Sequence, residues 1–161
     1  MFGIQMRGVC RMAEVIGLAV KHKKRAPMNV MNFGYINHRG LLGEHRGRRR
    51  SGNGPIRQVT VISEEQWREA CAEVGIERAG HARRANVCVS GLSVGPEDVG
   101  KYITIGDSVM LEITGETTPC ERMDEIHPGL RAALAKGWRG GVTCSVEIGG
   151  IISVGDPTQY L

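Results

Sequence analysis

The chain has 161 residues, of which 41% are hydrophobic and 24% charged, the balance of a single globular domain and not of a disordered or collagen-like chain. It contains no run of about 18 uncharged apolar residues, so no membrane-spanning helix is expected, and no basic segment followed by an apolar stretch that would mark a secretory signal. The net charge of +4 is unevenly divided: residues 1–57 carry 12 Lys/Arg against 2 Asp/Glu, residues 58–161 carry 9 against 15. Such asymmetry points to an anionic partner meeting the N-terminal part.

Aromatic residues make up only 4% of the chain, so its core is expected to be aliphatic, and 23 glycines spread along it favour many turns and bulges over a helical bundle. Residues 1–13 read as a peripheral segment. Val15 to Val20 (VIGLAV) is a first strand, followed by the basic turn Lys21-His22-Lys23-Lys24-Arg25. Gly40 to Pro55 is loop-rich, with Gly, Pro, Asn and Arg excluding regular structure. Gln58 to Ile62 (QVTVI) is a β-branched strand. Ser63 caps the helix that follows, Gln66 completes a capping box, and Gly75 ends the helix; Trp67, Ala70, Cys71 and Val74 share its apolar face.

Asn86 to Val89 is the next strand. Tyr102 to Ile105 and Val109 to Thr114 flank a Gly106-Asp107 turn and form a hairpin. Pro128 to Lys136 is a short helix. Gly141 to Ile148 and Ile151 to Val154 are expected to pair as a closing hairpin around Gly149-Gly150. Six or more short strands with two helices argue for a barrel or sandwich whose open ends the helices cover.

Five cysteines occur, at positions 10, 71, 88, 120 and 144. Their number is odd and no pair has C-x-x-C spacing, which suits free thiols and a cytoplasmic protein. Cys71 falls on the apolar helix face, and Cys88 and Cys144 alternate within strands, so all three are expected in the core. Cys120 differs. It follows Pro119 on a turn that leaves a strand, and Arg122 is close enough in sequence to favour a thiolate. The residues alone also allow Cys120 to be an ordinary small apolar side chain. The loop from Arg46 to Pro55 combines arginine forks with glycines that turn backbone N–H groups outward, which suits a phosphate or simply a solvated surface. It lacks the order of a nucleoside triphosphate-binding P-loop. His45, beside Glu44, is a candidate acid or base or a solvated loop residue. Nucleic acid is not expected, because too few aromatic rings are present for stacking.

In order along the chain, Ala26-Pro27-Met28, Gly40-Leu41-Leu42-Gly43-Glu44-His45, Arg57 to Ile62, Arg84-Ala85-Asn86-Val87, Ser90-Gly91-Leu92, Ile105-Gly106-Asp107, Pro119-Cys120, Gly140-Gly141-Val142 and Val154 to Pro157 resemble the MOSC domain, named for the C-terminal domain of molybdenum-cofactor sulfurase. The resemblance spans roughly Glu14 to Tyr160, a domain over 14–160; Glu44 stands where Asp is more usual, and the loop after His45 is richer in arginine. It implies a mostly β, MOSC-type β-barrel with a few short helices covering it. It also implies binding of molybdenum cofactor (molybdopterin), with Cys120 carrying a persulfide sulfur or ligating molybdenum, since a soft thiolate suits both. Arg84 and Asn86 would bind the cofactor, Arg84 holding its anionic part, assisted by Arg46 and Arg48; His45 and Thr143 are further cofactor-binding candidates.

The resulting expectation is a sulfur carrier acting toward a metal–sulfur or molybdopterin centre. The alternatives are a molybdenum-dependent reductase of N-hydroxylated compounds and, from a different class, a basic nucleic-acid-binding module. Whether the chain is an enzyme stays open at this point. No aminotransferase-like sulfurtransferase domain precedes the matched segments and no ferredoxin domain follows them, so the expected partner is a sulfur donor of the cysteine desulfurase type or an electron-transfer protein, with no membrane.

Overall fold

The computed structural model describes residues 12–45 and 56–161. Eleven strands and three short α-helices follow in chain order: β1 (Glu14–Val20), β2 (Asn29–Met31), β3 (Phe33–Asn37), β4 (Gly40–Leu41), β5 (Val59–Ser63), α1 (Glu64–Glu73), β6 (Val87–Ser90), β7 (Tyr102–Ile105), β8 (Val109–Glu116), α2 (Arg122–Ile126), α3 (Leu130–Ala135), β9 (Val142–Ile148), β10 (Gly150–Ser153) and β11 (Thr158–Tyr160). Three 3-10 turns interrupt them, one of which, Gly80–Arg83, bears on the site.

The strands form an eight-stranded sheet in the order β11-β7-β8-β9-β5-β6-β1-β2 and a three-stranded sheet in the order β10-β3-β4. The expected closed barrel is therefore corrected to two open sheets. The edge strands of the larger sheet, β2 and β11, have three residues each and form ladders with β1 and β7, and a single bridge from Glu14 to Pro157 ties the start of β1 to the segment before β11 without closing the sheet. The expected closing hairpin is corrected as well. β9 pairs with β5 and β8, whereas β10 crosses to β3 in the second sheet. Gly149 permits that crossing: a Cβ there would collide with the carbonyl oxygen of Ile36.

Two cores result, and the strands between them are buried on both faces. Val59, Val61, Val87 and Val89 join residues of the small sheet, Ile36, Leu41 and Ile152, in the larger core. Ile62 and Cys88, on the opposite faces of β5 and β6, pack with Trp67, Met123, Leu130 and Leu134 of the helices. Period-two alternation thus supplies both layers from the same two strands. Each fully buried aliphatic or aromatic side chain contributes about 1.5–3 kcal/mol.

The expected α1 cap is present, since Ser63 Oγ accepts from the Gln66 amide at 3.3 Å, and Gly75 follows the helix in the left-handed region at φ 74°. The other half of the capping box is not used. The Gln66 side chain spans to Val94 instead, donating to its carbonyl at 2.9 Å and accepting from its amide at 3.0 Å. Among the described residues no helix is long and apolar enough to cross a membrane.

Candidate functional site

Four cysteines lie among the described residues, and Cys120 is the exposed one; Cys71, Cys88 and Cys144 are buried as expected. Burial pushes the Cys88 and Cys144 thiols well above their ordinary range, and the Glu64 carboxylate beside Cys88 adds to the effect there. Both are protonated and inert at neutral pH. Cys10 lies outside the described residues.

Cys120 sits where β8 gives way to α2, and its carbonyl accepts from the Met123 amide at 3.0 Å, opening the helix. The turn before it is held from below. Arg83 is 5% exposed; its Nη2 donates to the Thr117 carbonyl at 2.8 Å and its Nε to the Gly140 carbonyl at 2.9 Å. The Thr117 amide in turn donates to the Gly141 carbonyl at 2.9 Å. The segment leading to Cys120 is therefore clamped to the start of β9, leaving the thiol outside on a fixed base. Gly140 leaves room for the clamp, since a Cβ there would stand 3.1 Å from Arg83 Nη2.

Arg84 turns the other way. Its backbone occupies the left-handed region at φ 70°, so the two arginines at the end of the 3-10 turn separate, Arg83 into the interior and Arg84 into a cleft. That cleft, about 660 Å³, lies between the β1–β2 turn, the Gly80–Arg83 turn and α2, and Arg25, Arg78, Arg84 and Arg122 line it with one acid, Glu125. α2 joins the two features, since it begins directly after the Cys120 turn and supplies Arg122 to the cleft wall.

Asn86 has a different setting. Its Oδ1 accepts from the Thr60 amide at 3.1 Å and hydroxyl at 3.2 Å, and its Nδ2 donates to Ala19 O at 3.2 Å and Glu44 Oε2 at 2.9 Å. It pins β1, β5 and β6 together and meets the loop acid Glu44, whose side chain is 2% exposed. The same carboxylate oxygen accepts from the Lys21 amide at 3.0 Å, and Oε1 lies 3.2 Å from His45 Nδ1. His45 is thus held against Glu44 and the Lys21 carbonyl at 3.0 Å. Asn86 also lines a smaller cavity of about 190 Å³, which shares His81 with the arginine cleft.

Thr143 is buried between β8 and β5, its hydroxyl 2.9 Å from that of Thr114, and it lines neither cavity. Arg46 and Arg48 lie outside the described residues. The structure therefore brings together Arg84, the Cys120 helix and, through the adjoining cavity, Asn86; it sets Thr143 and His45 in hydrogen-bonded positions of their own. Sequence reasoning missed Arg78 and the clamp made by Arg83. The Arg83-Arg84 pair was visible, but which guanidinium turns inward depends on the positive φ at Arg84. Arg78 is carried into place by Trp67, whose Nε1 donates to its carbonyl at 2.8 Å.

A family model described as the MOSC domain matches residues 48–159. No curated protein matches the chain. Among solved structures, the fold is similar to that of the YuaD protein from Bacillus subtilis, at 23% identity and a TM-score of 0.75, covering 92% of this chain and 95% of that one. It is also similar to YiiM from Geobacillus stearothermophilus, at 15% identity and a TM-score of 0.69, covering 92% of this chain and 75% of that one. YiiM from Escherichia coli matches at 15% identity and a TM-score of 0.64, covering 92% of this chain and 69% of that one.

Proposed function

Because the chain belongs to the MOSC domain family, whose members bind molybdenum cofactor, we propose that it binds that cofactor and handles sulfur on Cys120. The observation that carries this reading is an exposed thiol on a turn clamped by Arg83, next to a helix that also lines an arginine-rich cleft.

The residues fit such a group in two respects. A soft thiol is the donor type suited to a sulfur-rich molybdenum centre, and arginines suit the anionic part of a phosphate-bearing pterin. Among the described residues no cluster of three or more His, Cys, Asp or Glu could hold a metal. The bound cofactor would supply the metal with its own sulfur ligands. Arg84 would hold the anionic part and Asn86 would support the adjoining wall; Arg46 and Arg48, the further candidates from the sequence, lie outside the described residues.

In the sulfur-carrier reading, the Cys120 thiolate attacks the outer sulfur of a donor protein's persulfide. A new S–S bond forms at Cys120, the donor's own S–S bond breaks, and the donor cysteine leaves as thiolate. No external oxidant is needed, because the sulfane sulfur moves at constant oxidation state. The exposure of Cys120 favours this reading, since a donor active site must reach it; a cysteine desulfurase-type protein is the partner class. The cytoplasm, where thiols remain reduced, is the matching compartment.

Production of the wild-type protein and Cys120→Ala in a host that makes molybdenum cofactor, followed by assay of bound molybdenum and pterin, tests this proposal. Cofactor retained in both proteins supports a sulfur carrier beside the cofactor. Loss in the variant alone makes Cys120 a molybdenum ligand and favours the reductase of N-hydroxylated compounds. Absence of cofactor from both would overturn cofactor binding and return attention to the basic nucleic-acid module.

A further inference from the structure

The three-stranded sheet departs from the pattern of an antiparallel sheet at a surface. Such a sheet sets apolar side chains toward the core and polar ones toward water. β8 follows that rule, alternating buried Leu111 and Ile113 with Glu112 and Thr114. In the β10-β3-β4 sheet the inward residues Ile36, Leu41 and Ile152 are buried and apolar. The outward ones are apolar as well: Phe33 is 69% exposed, Tyr35 48%, Leu42 65% and Ile151 66%.

Strand register gathers these four side chains into one patch. Tyr35 stands opposite Ile151 on one side, and on the other its carbonyl accepts from the Leu42 amide at 2.8 Å. Ile151, Tyr35 and Leu42 therefore form a row across the sheet, and Phe33, two residues from Tyr35, shares its face. Phe33 and Tyr35 are the two exposed aromatic residues among those described. The strands β3, β4 and β10 carry no charged residue, in a chain that is 24% charged. The inner face has no room to take the patch in, since even a Cβ at Gly34 would stand 2.7 Å from the side chains of Leu41 and Met31.

We propose that this face is where two copies of the chain meet, sheet against sheet, about a twofold axis near Tyr35 of the central strand β3. Two properties select a second copy over a different partner. A twofold contact needs a surface that matches itself, and a face without charge opposes no like charges, although each copy carries a net charge of +4. The area is sufficient. The four side chains leave roughly 500 Å² open to solvent, so two faces together remove roughly 1,000 Å² from water, about the least that a specific interface buries. A dimer of modest strength follows, formed as concentration rises. The small sheet packs into the larger core, whereas the helices, α2 among them, pack on the opposite faces of β5 and β6. Pairing through the small sheet thus leaves the Cys120 turn of each copy uncovered, and it does not depend on what Cys120 does.

Sedimentation velocity of the full chain over roughly 1–300 µM, the range that suits an interface of this area, is the test. The proteins are wild type, Tyr35→Lys, Ile151→Lys and, as a control, Val99→Lys, an exposed apolar position outside the small sheet. Wild type and Val99→Lys pass from monomer to dimer. Tyr35→Lys and Ile151→Lys raise the dissociation constant roughly a hundredfold or more, because each places a charge in both halves of a closed apolar contact. At low concentration their melting temperatures match wild type, since both positions are exposed in a single copy. High salt leaves the dimer in place, because it screens only the repulsion between the copies. Iodoacetamide labels Cys120 equally fast in monomer and dimer. A wild type that stays monomeric throughout would overturn the proposal. Hydroxyl-radical footprinting of Phe33 and Tyr35 then assigns the face to residues 1–11, if deleting them exposes it, or to a different protein, if it is open throughout. A dimer left intact by both face variants, or broken by Val99→Lys as well, would overturn it too. Failure of the Cys120 chemistry would appear only in the Cys120→Ala comparison.

Discussion

The guanidinium of Arg83 donates to the carbonyl of Thr117 at 2.8 Å, fixing from inside the protein the turn that presents Cys120 outside it. Because the same side chain also satisfies the Gly140 carbonyl, its removal leaves two buried acceptors without a donor. Arg83→Met is expected to lose about 2–4 kcal/mol in urea unfolding. Arg83→Lys, which keeps the charge but not the fork, should fall between it and wild type. Wild-type stability in Arg83→Met would show that the clamp is not needed.

The exposure difference among the cysteines predicts a simple reactivity pattern. Under native conditions iodoacetamide labels Cys120 far faster than Cys71, Cys88 or Cys144, as read by peptide mapping in mass spectrometry. Full denaturation should bring the four to similar rates, because burial is what protects the other three. Rapid native labelling of Cys88 would contradict the packing described for β6.

Asn86 combines a strand-pinning role with a place beside the cleft. Asn86→Ala breaks hydrogen bonds to Thr60, Ala19 and Glu44 at once and leaves a largely buried carboxylate with one donor fewer. A stability loss of about 2–4 kcal/mol is expected in protein free of cofactor. Should that protein be as stable as wild type, Asn86 would be confined to ligand binding.

Gly141 holds the end of the Cys120 clamp at φ 92°, and a Cβ there would run into the Val61 carbonyl oxygen and stand 3.2 Å from the Ile62 Cα. Gly141→Ala combines backbone strain with a collision against backbone, neither of which a side chain can relieve. A loss of about 3 kcal/mol is expected by thermal or urea unfolding.

Asp98 gives a pH signature away from the site. Burial alone would raise its carboxyl, yet hydrogen bonds from Lys101 at 2.7 Å and the Gly95 amide at 2.8 Å hold it below the usual carboxylate range. A depressed folded-state value contributes stability above the ordinary carboxylate range that is lost as pH falls through the folded-state value. Asp98→Asn should therefore flatten the stability profile below about pH 4 and leave its shape near neutrality unchanged.

How much of this was legible in the sequence depends on the range of the interaction. The Ser63 cap, the hairpin of β7 and β8, and the core positions of Cys71, Cys88 and Cys144 follow from local patterns of period two or 3.6. The closed barrel and the closing hairpin failed for one reason: strand pairing across the two sheets is not local. Gly149-Gly150 has the composition of a hairpin turn, but the alternative partner, β3, lies more than a hundred residues earlier. The strands of three residues or fewer, β2, β4 and β11, carry too short a pattern to be read. At the site, Cys120 stood out by its place after Pro119, while the arginine cleft is assembled from Arg25, Arg78, Arg84 and Arg122, which no sequence spacing unites.

Acceptance of sulfur by Cys120 is read by incubating the wild-type protein and Cys120→Ser with a cysteine desulfurase and cysteine and mapping sulfur addition peptide by peptide. One added sulfur atom is expected on the Cys120 peptide of the wild type, removable by a thiol reductant, and none at that position in the variant. An unmodified Cys120 in wild-type protein that is otherwise folded, with sulfur appearing elsewhere or nowhere, would contradict it.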